Sequence, residues 1–148
     1  MEKITSFRQL IAWQKSMDLA SRCFELIRRF PRAEQGVLGF QIQKSAMSVP
    51  SNIAEGFSRH STPSYVQHLW IAHASSAELE TQLELGQRIG LVDERAAGTL
   101  IADTREVGRI INGQVRSLER PRTISEAPGP RPQAQGQESG RPVVSPED

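Results

Sequence analysis

Residues 62–90, TPSYVQHLWIAHASSAELETQLELGQRIG, decide the fold class. Thr62 is a capping residue type, and Pro63 suits a first helical position, where a missing N–H costs nothing. Nothing interrupts the pattern before Gly90, a natural stop, so the spacing predicts a single helix through Ile89, about 40 Å long at ~1.5 Å per residue. Its apolar residues do not keep to one stripe. Tyr65, Val66, Leu69, Trp70, Ile71, Ala72, Ala74, Leu79 and Leu85 surround most of the N-terminal circumference. A helix apolar on more than one side is buried on more than one side. In a chain of 148 residues, the second side is expected to face another subunit, the alternative being that loops overlie the helix ends.

Three more helices read outward from this one. Ser6 and Gln9 fit a capping box, and Leu10, Trp13, Met17, Ala20, Phe24 and Ile27 follow at helical spacing. Phe30-Pro31 ends that helix, and Arg32 to Gly36 reads as a loop. A second helix spans about Leu38 to Glu55, with Phe40, Ile42, Ala46, Val49 and Ile53 as its apolar set. Pro50 inside it should kink the helix and free the Ala46 carbonyl, and Gly56 should stop it. Asp93 caps a fourth helix reaching about Leu118, with Leu100, Thr104, Val107, Ile111 and Leu118 inward. Arg120-Pro121 breaks it. No alternating strand pattern competes. The expectation is an all-α, antiparallel up-down-up-down four-helix bundle over 1–120. The Pro/Gly-rich residues 121–148 are expected to form a disordered tail, too poor in apolar groups to order themselves.

Charge and cysteine content remove several classes. Lys and Arg number 18 against 17 Asp and Glu, a formal net charge of +1, so a generic nucleic-acid sponge is not expected. One thiol, Cys23, cannot make an internal disulfide. The N-terminus lacks the apolar stretch of a signal peptide, and no run approaches the ~20 apolar residues that span a bilayer. These features predict a soluble cytoplasmic protein with no membrane partner.

A di-iron centre needs Glu-x-x-His pairs. His60, His68 and His73 have no Glu three residues before them, and Glu78, Glu80 and Glu84 lack imidazole partners at the right offset. No metal and no cofactor is therefore expected. Cys23 reads as a small core residue, no Gly-x-Ser-x-Gly elbow occurs, and Gly36 and Gly39 lack the rest of a phosphate loop. The chain is thus expected to hold no catalytic residues and not to be an enzyme.

Two features stand out. Ser48, Pro50, Asn52, Glu55 and Gly56 form the densest polar insertion into a helical pattern. Their side chains can satisfy backbone groups freed at Pro50, and Asn52 and Glu55 could reach another helix or subunit. A structural polar network is favoured there over a ligand site. On the fourth helix, Arg105, Arg109, Arg116 and Arg120 fall at about 0°, 40°, 20° and 60° around the axis, with Asn112 between them. Four guanidiniums along ~22 Å could track a phosphate backbone. The competing reading is a solvated face, or pairing with acids such as Glu80 and Glu84 of a neighbouring subunit. Arg28, Arg29 and Arg32 form a second basic cluster open to the same two readings.

Leu10 to Lys15, Phe30-Pro31, Gln41 to Ala46 and the string Ser48-Val49-Pro50-Ser51-Asn52-Ile53-Ala54-Glu55-Gly56 resemble the 23S ribosomal RNA intervening-sequence proteins. Tyr65, Leu69, Ile71-Ala72, Ser75-Ser76 and Glu78-Leu79-Glu80-Thr81 agree, and Glu78 joins the polar motif on that basis. The resemblance covers roughly Phe7 to Glu119. It implies a four-helix bundle assembled as a ring-like homopentamer. Related bundles serve as accessory subunits of diversity-generating retroelements, where a basic pentamer binds nucleic acid and a reverse transcriptase. This chain departs from them in lacking a marked positive charge, and in having Gln43 and Lys44 where many relatives carry paired arginines. Two functions remain open: an oligomeric scaffold contacting RNA or DNA through the arginines, with or without a protein partner, and a purely protein-binding assembly.

Overall fold

The structure, a computed structural model, describes residues 2–121. The expected disordered tail lies, beyond Pro121, outside the described residues. Within them the chain is all-helical, with no strand. Four long helices carry it: α1 (Ile11–Arg28), α2 (Phe40–Phe57), α3 (Thr62–Arg88) and α4 (Glu94–Glu119). No helix among the described residues is long and apolar enough to cross a membrane.

Cross-helix pairs run in opposite senses at three interfaces. Between α2 and α3, Gly56 meets His68, Ser48 meets Ser75, and Leu38 just before α2 meets Gly86. Between α3 and α4, Tyr65 meets Gln114, Ser76 meets Gly108, and Glu80 meets Arg105. Lys15 and Arg22 of α1 bond Glu106 and Asp103 of α4 in the same descending order. The helices therefore alternate up and down around one core, whose largest fully buried members include Leu19, Ile42, Ile53, Leu69, Leu79, Leu83 and Ile111.

Local signals set most helix ends, with small corrections. The capping box of Ser6 and Gln9 forms, but it closes a 3-10 turn (Phe7–Gln9), and Leu10 is extended before α1 begins. Ser61, not Thr62, caps α3, its hydroxyl accepting from the Ser64 N–H. Asp93 caps α4 through the Ala96 N–H, at 2.9 Å. After α3, Gly90 takes φ +81°, and the Leu91 and Val92 N–H groups bond back to the Gly86 carbonyl at 2.9 and 3.1 Å. Only glycine adopts that backbone without strain.

Three expectations about the second helix fail. Arg32 to Gly36 is not a loop: Pro31 opens a helical turn (Arg32–Glu34), and a wider π turn (Gln35–Gly39) leads into α2. The helix runs through Pro50, which is buried, as its apolar pattern predicts, and on to Phe57. Gly56 does not stop it; Gly56 is itself buried inside the helix, where α3 crosses closely. Phe40, expected inside, is exposed.

The α1 stripe is also displaced around the helix. Its buried residues are Ala12, Ser16, Leu19, Ala20, Cys23 and Ile27, while Met17 is exposed and Trp13 and Phe24 are half-buried. Leu19, Ile27 and several small residues face the core here, while Trp13, Met17 and Phe24 lie along the rim. On α4 the expected stripe stands, with Leu100, Thr104, Val107 and Ile111 buried and Leu118 half-buried.

Candidate functional site

The polar motif of α2 forms a seam against α3. Ser48 Oγ lies 2.8 Å from Ser75 Oγ, and Asn52 Nδ2 donates to both the Ser48 carbonyl (2.8 Å) and its hydroxyl (3.0 Å). One turn on, Glu55 accepts from Arg59 at 2.6 Å and lies 3.4 Å from His68 Nε2. His68 Nδ1 donates to the Ser64 carbonyl at 2.8 Å. The hydrogen bond from Arg59 and the His68 charge hold the exposed Glu55 carboxyl below the usual carboxylate range. Gly56 completes the seam by letting the helices touch. These groups spend their bonding capacity on one another, so the seam fastens two helices. Glu78 does not join them: it is exposed, and its described partner is Gln82 on its own helix.

The two sides of α3 are both present. Leu69, Ala72, Leu79 and Leu83 are fully buried, while Trp70 and Ile71 are each 43% exposed and Leu85 is 47% exposed. Trp70, Ala74, Ala77, Thr81 and Leu85 recur at the helical repeat, so the outward residues form a second, largely apolar stripe. The first side belongs to this bundle; the second has no cover from it.

A second apolar surface was not anticipated. Met17 and Phe24, expected in the core, instead line a groove of about 460 Å³ between α1 and α2, with Met47 and the buried Pro50 on its other wall. Period-3.6 patterning places neighbouring stripes only one residue apart, so the rim of α1 could be mistaken for its inner face.

The arginine face of α4 divides. Arg105 Nε donates to Glu80 Oε1 at 2.7 Å, and the acid belongs to the same chain. Glu84 is likewise paired within α3, with Arg88 at 2.9 Å. Arg109, Arg116 and Arg120 are exposed and have no carboxylate partner among the described residues. Arg28, Arg29 and Arg32 are exposed as well, without such a partner.

Cys23 is fully buried in the core, and burial pushes its thiol up to about 12. Because the thiolate is the reactive form, native protein at pH 8 is expected to resist an aromatic disulfide reagent. Denaturant should release the thiol, raising the reaction rate at least a hundredfold. Rapid native labelling would show that Cys23 is not enclosed.

The comparisons with known proteins agree with this architecture. The family model of the 23S rRNA-intervening sequence protein matches residues 8–113. The chain belongs to that family. Among solved structures, a protein of unknown function from the S23 ribosomal protein family of Bacteroides thetaiotaomicron is similar at 26% identity and a TM-score of 0.67. The match covers 72% of this chain and 99% of that one. No curated protein sequence matches. The 23S rRNA-intervening sequence match ends at residue 113, so it includes the α2–α3 seam, Arg105 and Arg109 but stops short of Arg116 and Arg120.

Proposed function

We propose that this chain is a non-enzymatic, cytoplasmic binding scaffold that assembles with copies of itself through the outer stripe of α3. The carrying observation is the exposure of Trp70, Ile71 and Leu85 along one face of a helix whose opposite face is the core. These side chains are already more than half covered, so burying the remainder is worth about 1 kcal/mol each, and a copy seated on the stripe gains from several of them together. The groove between α1 and α2 offers a seat of matching chemistry on a different face. A stripe entering the groove of the next copy is a head-to-tail contact, which closes into a ring when the rotation allows. Five copies is the number that the family resemblance implies.

The test is mass measurement by light scattering. Wild type is expected to be oligomeric, with Trp70→Glu and Met47→Glu each monomeric. Mixing the two variants should yield a heterodimer, because one retains the groove and the other the stripe. A monomeric wild type would refute self-assembly. If Met47→Glu stays oligomeric, the contact is stripe against stripe.

A second reading concerns the α4 face. Arg109, Arg116 and Arg120, lacking carboxylate partners among the described residues, support contact with RNA or DNA along ~16 Å of helix. The competing assignment of this face is a protein partner with acidic side chains. Binding of an oligonucleotide that weakens steeply from 50 to 200 mM salt favours the nucleic acid; no binding at low salt favours the protein.

A further inference from the structure

Beside that arginine face lies a cleft of about 250 Å³ between α3 and α4. Gly108 forms its floor. A Cβ there would lie 3.4 Å from Ser76 Oγ and 4.0 Å from His73 Nε2, ordinary contact distances. Alanine would therefore fit, and it is the better residue for a helix interior. Gly56 and Gly86 differ, since a Cβ at either comes within 2.7 or 2.9 Å of a neighbouring side-chain carbon. Packing requires those two glycines. At Gly108 the missing methyl leaves an open floor.

The walls of the cleft are rich in donors. Arg109 is exposed, the half-buried Asn112 offers an amide, and the His73 imidazole presents Nε2 above the floor. Trp70 stands edge-on to that imidazole with ring centroids 5.7 Å apart, and Ser76 Oγ donates to the His73 carbonyl at 2.6 Å. Of these, the Trp70 contact bears on the ring itself, from the same helix. The one carboxylate lining the cleft, Glu80, is bonded to Arg105, leaving that guanidinium's other N–H groups available. The charged groups facing the cleft are Arg105, Arg109 and Glu80, a formal sum of one positive charge before His73 is counted.

We infer that this cleft binds a phosphate group, with Arg109, Asn112 and His73 as donors and Arg105 at its mouth. Guanidinium, amide and imidazole N–H groups converging on one small space match the several acceptor oxygens of a phosphate. The site deepens the nucleic-acid reading and rests on it only for the source of the phosphate, a strand or a small phosphorylated compound.

The experiment uses two probes on the full chain. Inorganic phosphate is titrated while the imidazole resonances of the three histidines are followed by NMR. A fluorescein-labelled 12-nucleotide RNA is titrated by anisotropy. Wild type should show a saturable shift of the His73 resonances, and Asn112→Asp should weaken phosphate binding at least tenfold. Gly108→Ala, which changes no charge and melts no lower than wild type, should weaken it several-fold. If RNA binds and loses affinity in the same two variants, the phosphate is a strand's. In that case Arg116→Ala with Arg120→Ala should weaken RNA binding and flatten the log–log salt slope by about 1.4, ~0.7 per contact, without changing the binding of inorganic phosphate. Phosphate binding without RNA binding keeps the cleft and refutes the nucleic-acid reading. RNA binding that ignores Asn112→Asp and Gly108→Ala refutes the cleft and keeps the arginine face. If neither probe binds, both fall.

Discussion

Gly56→Val is expected to destabilise the bundle by about 3 kcal/mol, the upper part of the range for forcing extra carbon into a packed core. A Cβ at this position would stand 2.7 Å from His68 Cβ, 3.0 Å from Tyr65 Cδ2 and 3.2 Å from the Tyr65 carbonyl oxygen. Two of those neighbours are close to or part of the α3 backbone, so no flexible side-chain end can swing aside. Relief requires the helices to separate, which lengthens the Ser48–Ser75 contact about two turns away. Valine's slightly better helix propensity offsets only a few tenths of a kcal/mol. At ~4 °C per kcal/mol for a domain of this size, the melting temperature should fall by roughly 12 °C. Gly113→Ala is the control: nothing lies within 4 Å of its added Cβ, so it should stabilise by about 1 kcal/mol. A valine variant that melts with wild type would mean that α2 and α3 do not approach so closely at Gly56.

The second large effect separates the two sides of α3. Leu79 is fully buried and Leu85 is 47% exposed, six residues away on the same helix. Leu79→Ala should cost about 3–4 kcal/mol, since it removes buried methyl groups and leaves a cavity within the bundle. That loss should persist under conditions where the protein is monomeric. Leu85→Ala should cost only about 1 kcal/mol there, because about half of the residue stays in water in one bundle and no closed cavity is left. Where copies associate, its cost should grow with protein concentration, because binding between copies stabilises by mass action. Denaturant unfolding at two concentrations a hundredfold apart reads both effects. Equal and concentration-independent losses would mean that no second copy covers the outer stripe.

Much of the site was legible before any coordinates, but unevenly. The α2 motif stood out because polar residues interrupt an apolar pattern, Ser75-Ser76 only through the family resemblance, and the structure brings Ser48, Asn52 and Ser75 together. Glu78 carried no such local reason, and it stays apart from the seam. The arginine stripe was legible as a face, since helical angles follow from numbering alone. That Arg105 pairs with Glu80 of the same chain was not, because the pairing depends on the register of two helices. The α3–α4 cleft was hidden for the same reason. Gly108 reads as an unremarkable glycine until His73, Ser76 and Asn112 are placed around it.

What residue order determined by itself is the number of helices, their approximate ends and the two-sidedness of α3. Capping hydroxyls and carboxylates, prolines and glycines act within one or two turns, so their effects are written locally at Ser6, Pro31, Ser61–Pro63, Gly90 and Asp93. What the tertiary structure decided is which of two adjacent stripes on α1 faces inward, why Gly56 is a contact point instead of a stop, and how the arginine face divides. Each depends on how close a partner helix lies and at which register. A repeat of 3.6 residues leaves stripes one residue apart nearly equivalent until another helix selects between them.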